Sequence, residues 1–180
     1  MIEIISADLK KAEELLKFVP GGVQKATARA INRAADSAKT AASRAVRKDY
    51  FISNKAILNT IRIKRASAGG LSASMESRGR LIPLAKWKAA PKANPATARI
   101  KKSGASGLGR GAFWATMKSG HEGIFGRLTK KRKPIQERMG PAVPQLLEAE
   151  AVSKAVEERM SDVFYQRLDH EVGRILEAQK

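Results

Sequence analysis

Residues 23–48, VQKATARAINRAADSAKTAASRAVRK, decide how this chain reads. They include nine alanines and neither glycine nor proline, so nothing in them interrupts a helix. Ala26, Ala30, Ala34, Ala38 and Ala42 recur every fourth residue, flanked by Ile31, Ala41 and Ala45. Lys25, Arg29 and Arg33 form a second stripe at the same interval, continued by Arg44 and Arg47. Such spacing predicts an amphipathic helix of about 40 Å at 1.5 Å per residue. Its apolar face is built of small side chains, so another helix can approach closely. The expected occupant of the Ala26, Ala30, Ala34 and Ala38 face is a neighbouring subunit; the competing reading is a core helix of a compact monomer.

Before this helix, Met1 to Ile5 reads as a short strand and Asp8 as the cap of a helix through Phe18. Pro20-Gly21-Gly22 then breaks the chain. After it, Ser53 is placed to cap a helical turn ending at Leu58. Thr60-Ile-Arg-Ile-Lys-Arg-Ala66 alternates apolar and charged residues, the pattern of a half-buried strand. Gly69-Gly70 turns the chain toward a second strand, Leu71 to Arg78. Leu81-Ile-Pro-Leu84 leads past Trp87 into a basic loop with Pro91 and Pro95, and Ala96 to Lys102 is a further strand. Residues 103–111 are a glycine-rich tip. Phe113 to Met117, a turn near Gly120 and Gly123 to Arg127 predict a hairpin.

Lys130 to Lys133 and a proline-rich connector come next. From Gln145 to Ala178, Val152, Val156, Met160, Phe164, Leu168, Val172 and Ile175 recur at helical spacing, with Pro144 in the first turn. Helix, antiparallel sheet and helix make an α+β domain. It is divided into an N-terminal segment (1–22), a helical part (23–58), a β-rich part (59–128), a connector (129–144) and a C-terminal helix (145–178).

Charge is unevenly placed. The formal net charge is +18 over 180 residues. Residues 21–140 hold 27 basic and five acidic groups, residues 1–20 three and four, and residues 141–180 five and eight. Such a basic middle implies a polyanionic neighbour, either nucleic acid or an acidic protein surface. The groups expected to face it are the helix stripe Lys25, Arg29 and Arg33; the strand cluster Arg62, Lys64 and Arg65; Lys101, Lys102 and Arg110; and Lys130, Lys131, Arg132 and Lys133. They show no helix-turn-helix, zinc-finger or RNA-binding aromatic signature, so contact with a phosphate backbone is expected rather than base readout. The hydrophobic share of 43% is rich in alanine and only 5% of residues are aromatic. Each buried alanine removes little apolar area from water, which favours self-assembly as a second source of stability.

Reactive constellations do not emerge. Without cysteine, disulfides and thiolate metal sites are excluded. His121 and His170 stand far apart in sequence, and His121 beside Glu122 falls short of a zinc set. There is no G-x-S-x-G motif; Gly104-Ala-Ser106-Gly107 has the wrong spacing. The glycine-rich tip lacks the G-K-[S/T] ending of a phosphate-cradling loop. Between residues 21 and 140 the acids are Asp36, Asp49, Glu76, Glu122 and Glu137, too sparse for the clustered carboxylates of a nuclease. No catalytic residue, metal or cofactor is expected. Acids among the first residues argue against a secretory signal, no stretch is apolar enough to span a bilayer, and synthesis in a reducing cytoplasm is expected.

Several motifs in order resemble one family. Ala30-Ile-Asn-Arg-Ala-Ala35 followed by Arg47-Lys-Asp-Tyr50, the alternating Ile61 to Ala66, and Leu81-Ile-Pro-Leu84 with Trp87 are similar to the prophage minor tail protein Z family. So are Gly123-Ile-Phe-Gly-Arg127, Pro134-Ile135 and Gly140-Pro-Ala-Val-Pro144-Gln145. Lys133 and Met139 depart from its pattern. The resemblance implies a non-enzymatic virion protein that completes the head-proximal end of a tail and takes part in head–tail joining. It also implies assembly beside tail-tube, terminator or connector proteins, and a homo-oligomeric ring is the expected state. Pro134, Ile135, Gly140, Pro141, Val143 and Pro144 would then form a docking element; as residues alone they equally describe a rigid connector. Outside this family, the charge admits a non-sequence-specific nucleic-acid-binding protein, and a tail-assembly chaperone absent from the finished particle is a third reading.

Overall fold

Uninterrupted helix-forming sequence gives an uninterrupted helix. Helix α1 is Gly22–Asp49, bounded at its start by Gly21 in the left-handed region (φ +67°), where a glycine meets no side-chain penalty. The computed structural model describes residues 12–90, 95–104 and 111–178. The strand expected at residues 1–5, the cap at Asp8, most of the glycine-rich tip and Arg110 lie outside these residues.

Past α1, the short helix α2 (Asn54–Leu58) is capped as its sequence predicts, Ser53 Oγ accepting from the Ala56 N–H at 3.2 Å. Strands β1 (Ile61–Lys64) and β2 (Ser74–Ser77) pair antiparallel, with Lys64 opposite Ser74. The chain between them turns where Ser67 and Gly70 exchange backbone hydrogen bonds. In β1, Ile61 is buried and Ile63 half-buried while Arg62 and Lys64 face solvent, as the alternation requires.

Next come β3 (Ile82–Pro83), a 3₁₀ turn (Leu84–Lys86), β4 (Lys88–Ala90), β5 (Thr97–Arg99), β6 (Ala112–Thr116), β7 (Glu122–Arg127), β8 (Ile135–Glu137) and β9 (Met139–Gly140). The expected hairpin is β6–β7, closed near Gly120 (φ +80°). β7 is the central strand of a three-stranded sheet ordered β6-β7-β8. β4 pairs with β5, and β3 with β9, all antiparallel.

Two features differ from the sequence reading. The connector contains two short strands that the sequence reading did not single out, since Ile135 to Glu137 and Met139–Gly140 join sheets. Its prolines fall just outside these short strands, where no ladder N–H is needed. The terminal helix is also divided, into α3 (Val143–Leu147) and α4 (Glu150–Glu177). Leu146 and Val152 are both buried, yet six residues at 100° each place them on different faces of one helix. The interruption at residues 148–149 separates the two registers. Pro144 therefore lies in the first turn of α3, where the side-chain Oε1 of Gln145 accepts from the Ala142 N–H at 2.9 Å.

The chain divides into two compact units. Met1–Ala42, Ile61–Ser77 and Glu150–Lys180 make the first; Ser43–Thr60 and Arg78–Ala149 make the second. In the first, Ala26, Ala30 and Ala34 of α1 form a core with Ala12, Leu16, Val163, Phe164, Leu168 and Val172. Burying Phe164 or Leu168 there contributes roughly 1.5–3 kcal/mol each. The second buries Ile57, Leu84, Trp87, Ile124, Phe125, Val143 and Leu146.

Candidate polyanion-binding and assembly surfaces

Ala26, Ala30, Ala34 and Ala38 are at most 2% exposed. The first three pack with α4 residues of the same chain, so the close helix approach that small side chains permit is taken up internally. Lys25, Arg29 and Arg33 are exposed, but Arg29 is engaged. Its Nη1 lies 3.3 Å from the Glu171 carboxylate, which is buried and also 3.7 Å from Arg174. Burial of an acid demands such partners.

The strand cluster is likewise partly balanced by acids. Arg65 donates two hydrogen bonds to Asp36, at 2.9 and 3.2 Å, and Arg62 stands opposite Glu76 in the β1–β2 register. Lys64 is exposed. Lys130 to Lys133 are exposed in the connection from β7 to β8, next to a cis Lys133–Pro134 peptide. Among the connector residues, Pro134 is exposed, Ile135, Pro141 and Pro144 are half-buried, and Gly140 and Val143 are buried. A Cβ at Gly140 would come within 2.6 Å of Trp87 Nε1, so that glycine serves a close approach inside the second unit.

Lys101 and Lys102 belong to a denser arrangement that the sequence showed only in part. The chain after α1 pairs with the chain after β5: the Phe51 N–H donates to the Ile100 carbonyl at 2.9 Å and the Lys102 N–H to the Asp49 carbonyl at 2.8 Å. Phe51 is thereby held against the β4–β5 ribbon. Lys88 and Arg99 are direct cross-strand partners. Lys88 Nζ lies 4.9 Å, Arg99 Cζ 5.6 Å and Lys102 Nζ 6.0 Å from the Phe51 ring centroid. Lys101 Nζ lies 5.7 Å from the Tyr50 ring. A cleft of about 460 Å³ opens here, and Arg47 and Lys86 add to its lining.

Like charges directly opposite on paired strands are unfavourable, on the scale of roughly 0.2–1 kcal/mol. The contacts of Lys88, Arg99 and Lys102 with the Phe51 ring offset this, at about 0.5–1 kcal/mol per exposed cation–π contact. Lys88, Arg99 and Phe51 were not singled out by sequence reasoning. The available signal was the even placement of Lys88 and Arg99 about the Pro91–Pro95 segment, which a hairpin converts into a facing pair.

Among the described residues, the histidine and acids weighed from the sequence lie in separate places. His121 Nε2 is 2.9 Å from Glu137 rather than paired with its neighbour Glu122, and Glu122 accepts from the Thr116 hydroxyl. Glu76 and Glu122 lie in different sheets. Among the described residues, no three His, Asp or Glu side chains are grouped to hold a metal ion, and no helix is long and apolar enough to cross a membrane.

Comparison with curated proteins and with solved structures finds no match. The family described as Prophage minor tail protein Z (GPZ) matches residues 9–178, a span that takes in α1, every strand and α4. With nearly the whole chain accounted for in this way, the chain belongs to the prophage minor tail protein Z family.

Proposed function

We propose that this phage tail structural protein completes the head-proximal end of the tail, and that it acts by assembly with neighbouring subunits rather than by catalysis. The family match over residues 9–178 carries the reading. The basic middle of the sequence supports it, because a component at the end where DNA enters a tail lies against a dense line of phosphate charge. In this reading the partners are the tail terminator, tail tube or connector, together with further copies of the chain arranged as a ring. Exposed Pro134 and the half-buried Ile135, Pro141 and Pro144 offer a stiff docking edge. Lys25, Arg33, Lys64, Lys101, Lys102 and Lys130 to Lys133 are among the exposed cations available to a polyanion.

Immunogold labelling of purified particles tests the position. Gold at the head–tail junction is expected, with tails that lack the protein failing to join filled heads. Gold at the distal tip would overturn the placement. Complete absence from finished particles would favour an assembly chaperone. Sedimentation of the purified chain tests the ring independently, and a persistent monomer in the presence of tail-tube and terminator proteins would remove it.

A further inference from the structure

The geometry points to a phosphodiester-backbone binding site at the Phe51 cleft, lined by Lys88, Lys102, Arg47 and Lys86, with Arg99 adding its charge against the same ring. This deepens the polyanion part of the proposed function and is independent of where in the tail the protein sits.

Three observations converge. First, the cations are crowded. Lys88 Nζ and Lys102 Nζ, 4.9 and 6.0 Å from the same centroid, are no farther apart than the two distances added, about 11 Å. Second, they are not balanced as the other clusters are. Arg29 has Glu171, Arg65 has Asp36 and Arg62 faces Glu76, whereas Lys88 faces Arg99. The one acid beside the cleft in sequence is Asp49, and among the described residues its carboxylate forms no ion pair with these cations. Third, the exposed polar groups that line the cleft are cationic: Arg47, Lys86, Lys88 and Lys102 are exposed, while the Ser53 hydroxyl already caps α2.

A closely spaced, multiply charged anion is the ligand that such a site recognises. A nucleic-acid strand supplies one charge per 3.4 Å of rise in a fixed line. An acidic protein surface usually intersperses carboxylates with cations of its own, which suits this uninterrupted positive cluster less well. Recognition is through phosphate oxygens, with the exposed Arg47 able to donate in a planar fork and the lysines acting as point charges. It carries no base-sequence preference. Arg99 is half-buried and donates from Nη2 to the Lys102 carbonyl at 2.8 Å, so it holds that segment and adds its charge from behind.

Fluorescence anisotropy of the full-length protein with a labelled 20-base-pair duplex tests the site. The double variant Lys88→Ala/Lys102→Ala is expected to bind about tenfold more weakly at moderate salt, and its log–log salt slope to fall by about two. Its melting temperature should change little, because relief of the Lys88–Arg99 repulsion opposes the loss of two ring contacts; a large drop would show a structural role for these lysines instead. Lys130→Ala/Lys131→Ala, with the same loss of charge, should weaken binding less than about threefold. Equal weakening by the two double variants would overturn the site and leave only a diffuse basic surface. Polyglutamate that binds the wild type as tightly as DNA would overturn the nucleic-acid assignment in favour of an acidic protein. If the wild type does not bind the duplex at all, both DNA readings fall while the tail role, read from particle labelling, stands.

Discussion

Asn32 holds both backbone polar groups of Ala66: its Nδ2 donates to the Ala66 carbonyl and its Oδ1 accepts from the Ala66 N–H, each at 2.9 Å. One side chain of α1 thus fixes the end of β1, and Ala66 is buried at 8% exposure. Asn32→Ala leaves a buried donor and acceptor unsatisfied and is expected to cost about 1–3 kcal/mol. Asn32→Asp should fare no better, since it sets a carboxylate against a carbonyl. Urea denaturation reads both, and an unchanged midpoint for either variant would refute the clamp.

The alanine stripe makes opposite predictions for a core and for a subunit interface. Ala30 is fully buried against residues of its own chain, so Ala30→Leu overpacks the helix contact and should cost about 1–3 kcal/mol. Thermal unfolding and light scattering together decide the matter. A variant that keeps its stability but loses self-association would return the stripe to the interface.

Arg29 is expected to matter for stability more than for anion binding. Arg29→Ala leaves the buried Glu171 with Arg174 alone at 3.7 Å, an expected loss of about 1–3 kcal/mol. Affinity for DNA should change less than it does for Lys88→Ala/Lys102→Ala. Anisotropy and denaturation on one sample check the pair, and the reverse ranking would show Arg29 to be a ligand contact.

Gly140 has little room. A methyl group there would collide with Trp87 Nε1 at 2.6 Å and crowd Leu84 Cδ2 at 3.2 Å. Gly140→Ala is expected to destabilise by about 1–3 kcal/mol, with the indole displaced from its 3.4 Å contact to the Ile82 carbonyl. Near-ultraviolet circular dichroism should register that displacement. A wild-type spectrum with unchanged stability would contradict it.

Where local chemistry alone decides, the sequence was legible. The absence of glycine and proline from residues 23–48, the Ser53 cap, the Ile61–Lys64 alternation and the Gly120 turn each correspond to an observed element. Elements created by pairing were harder to see. β4 is Lys-Ala-Ala and β8 is Ile-Gln-Glu behind a proline, short segments with weak strand propensity that become strands because a partner lies alongside. Glu148-Ala149 breaks the terminal helix without a breaker residue, through a shift of apolar register that only the cores reveal. The Phe51 cleft collects residues from three separated segments, so runs such as Lys130–Lys133 drew attention while Lys88 and Arg99 did not.

The first unit is discontinuous along the chain, and this orders events during synthesis. α1 emerges from the ribosome more than a hundred residues before α4, the helix that covers its alanine face. Chains grow from the N-terminus at about 5–20 residues per second, so α1 spends several seconds with Ala26, Ala30 and Ala34 uncovered. All residues of the second unit have been made by Ala149, so its core can close before α4 is available. A nascent chain therefore exposes a smooth helix surface to chaperones or to sister chains on the same message, and a stop codon before Glu150 would make that transient exposure permanent.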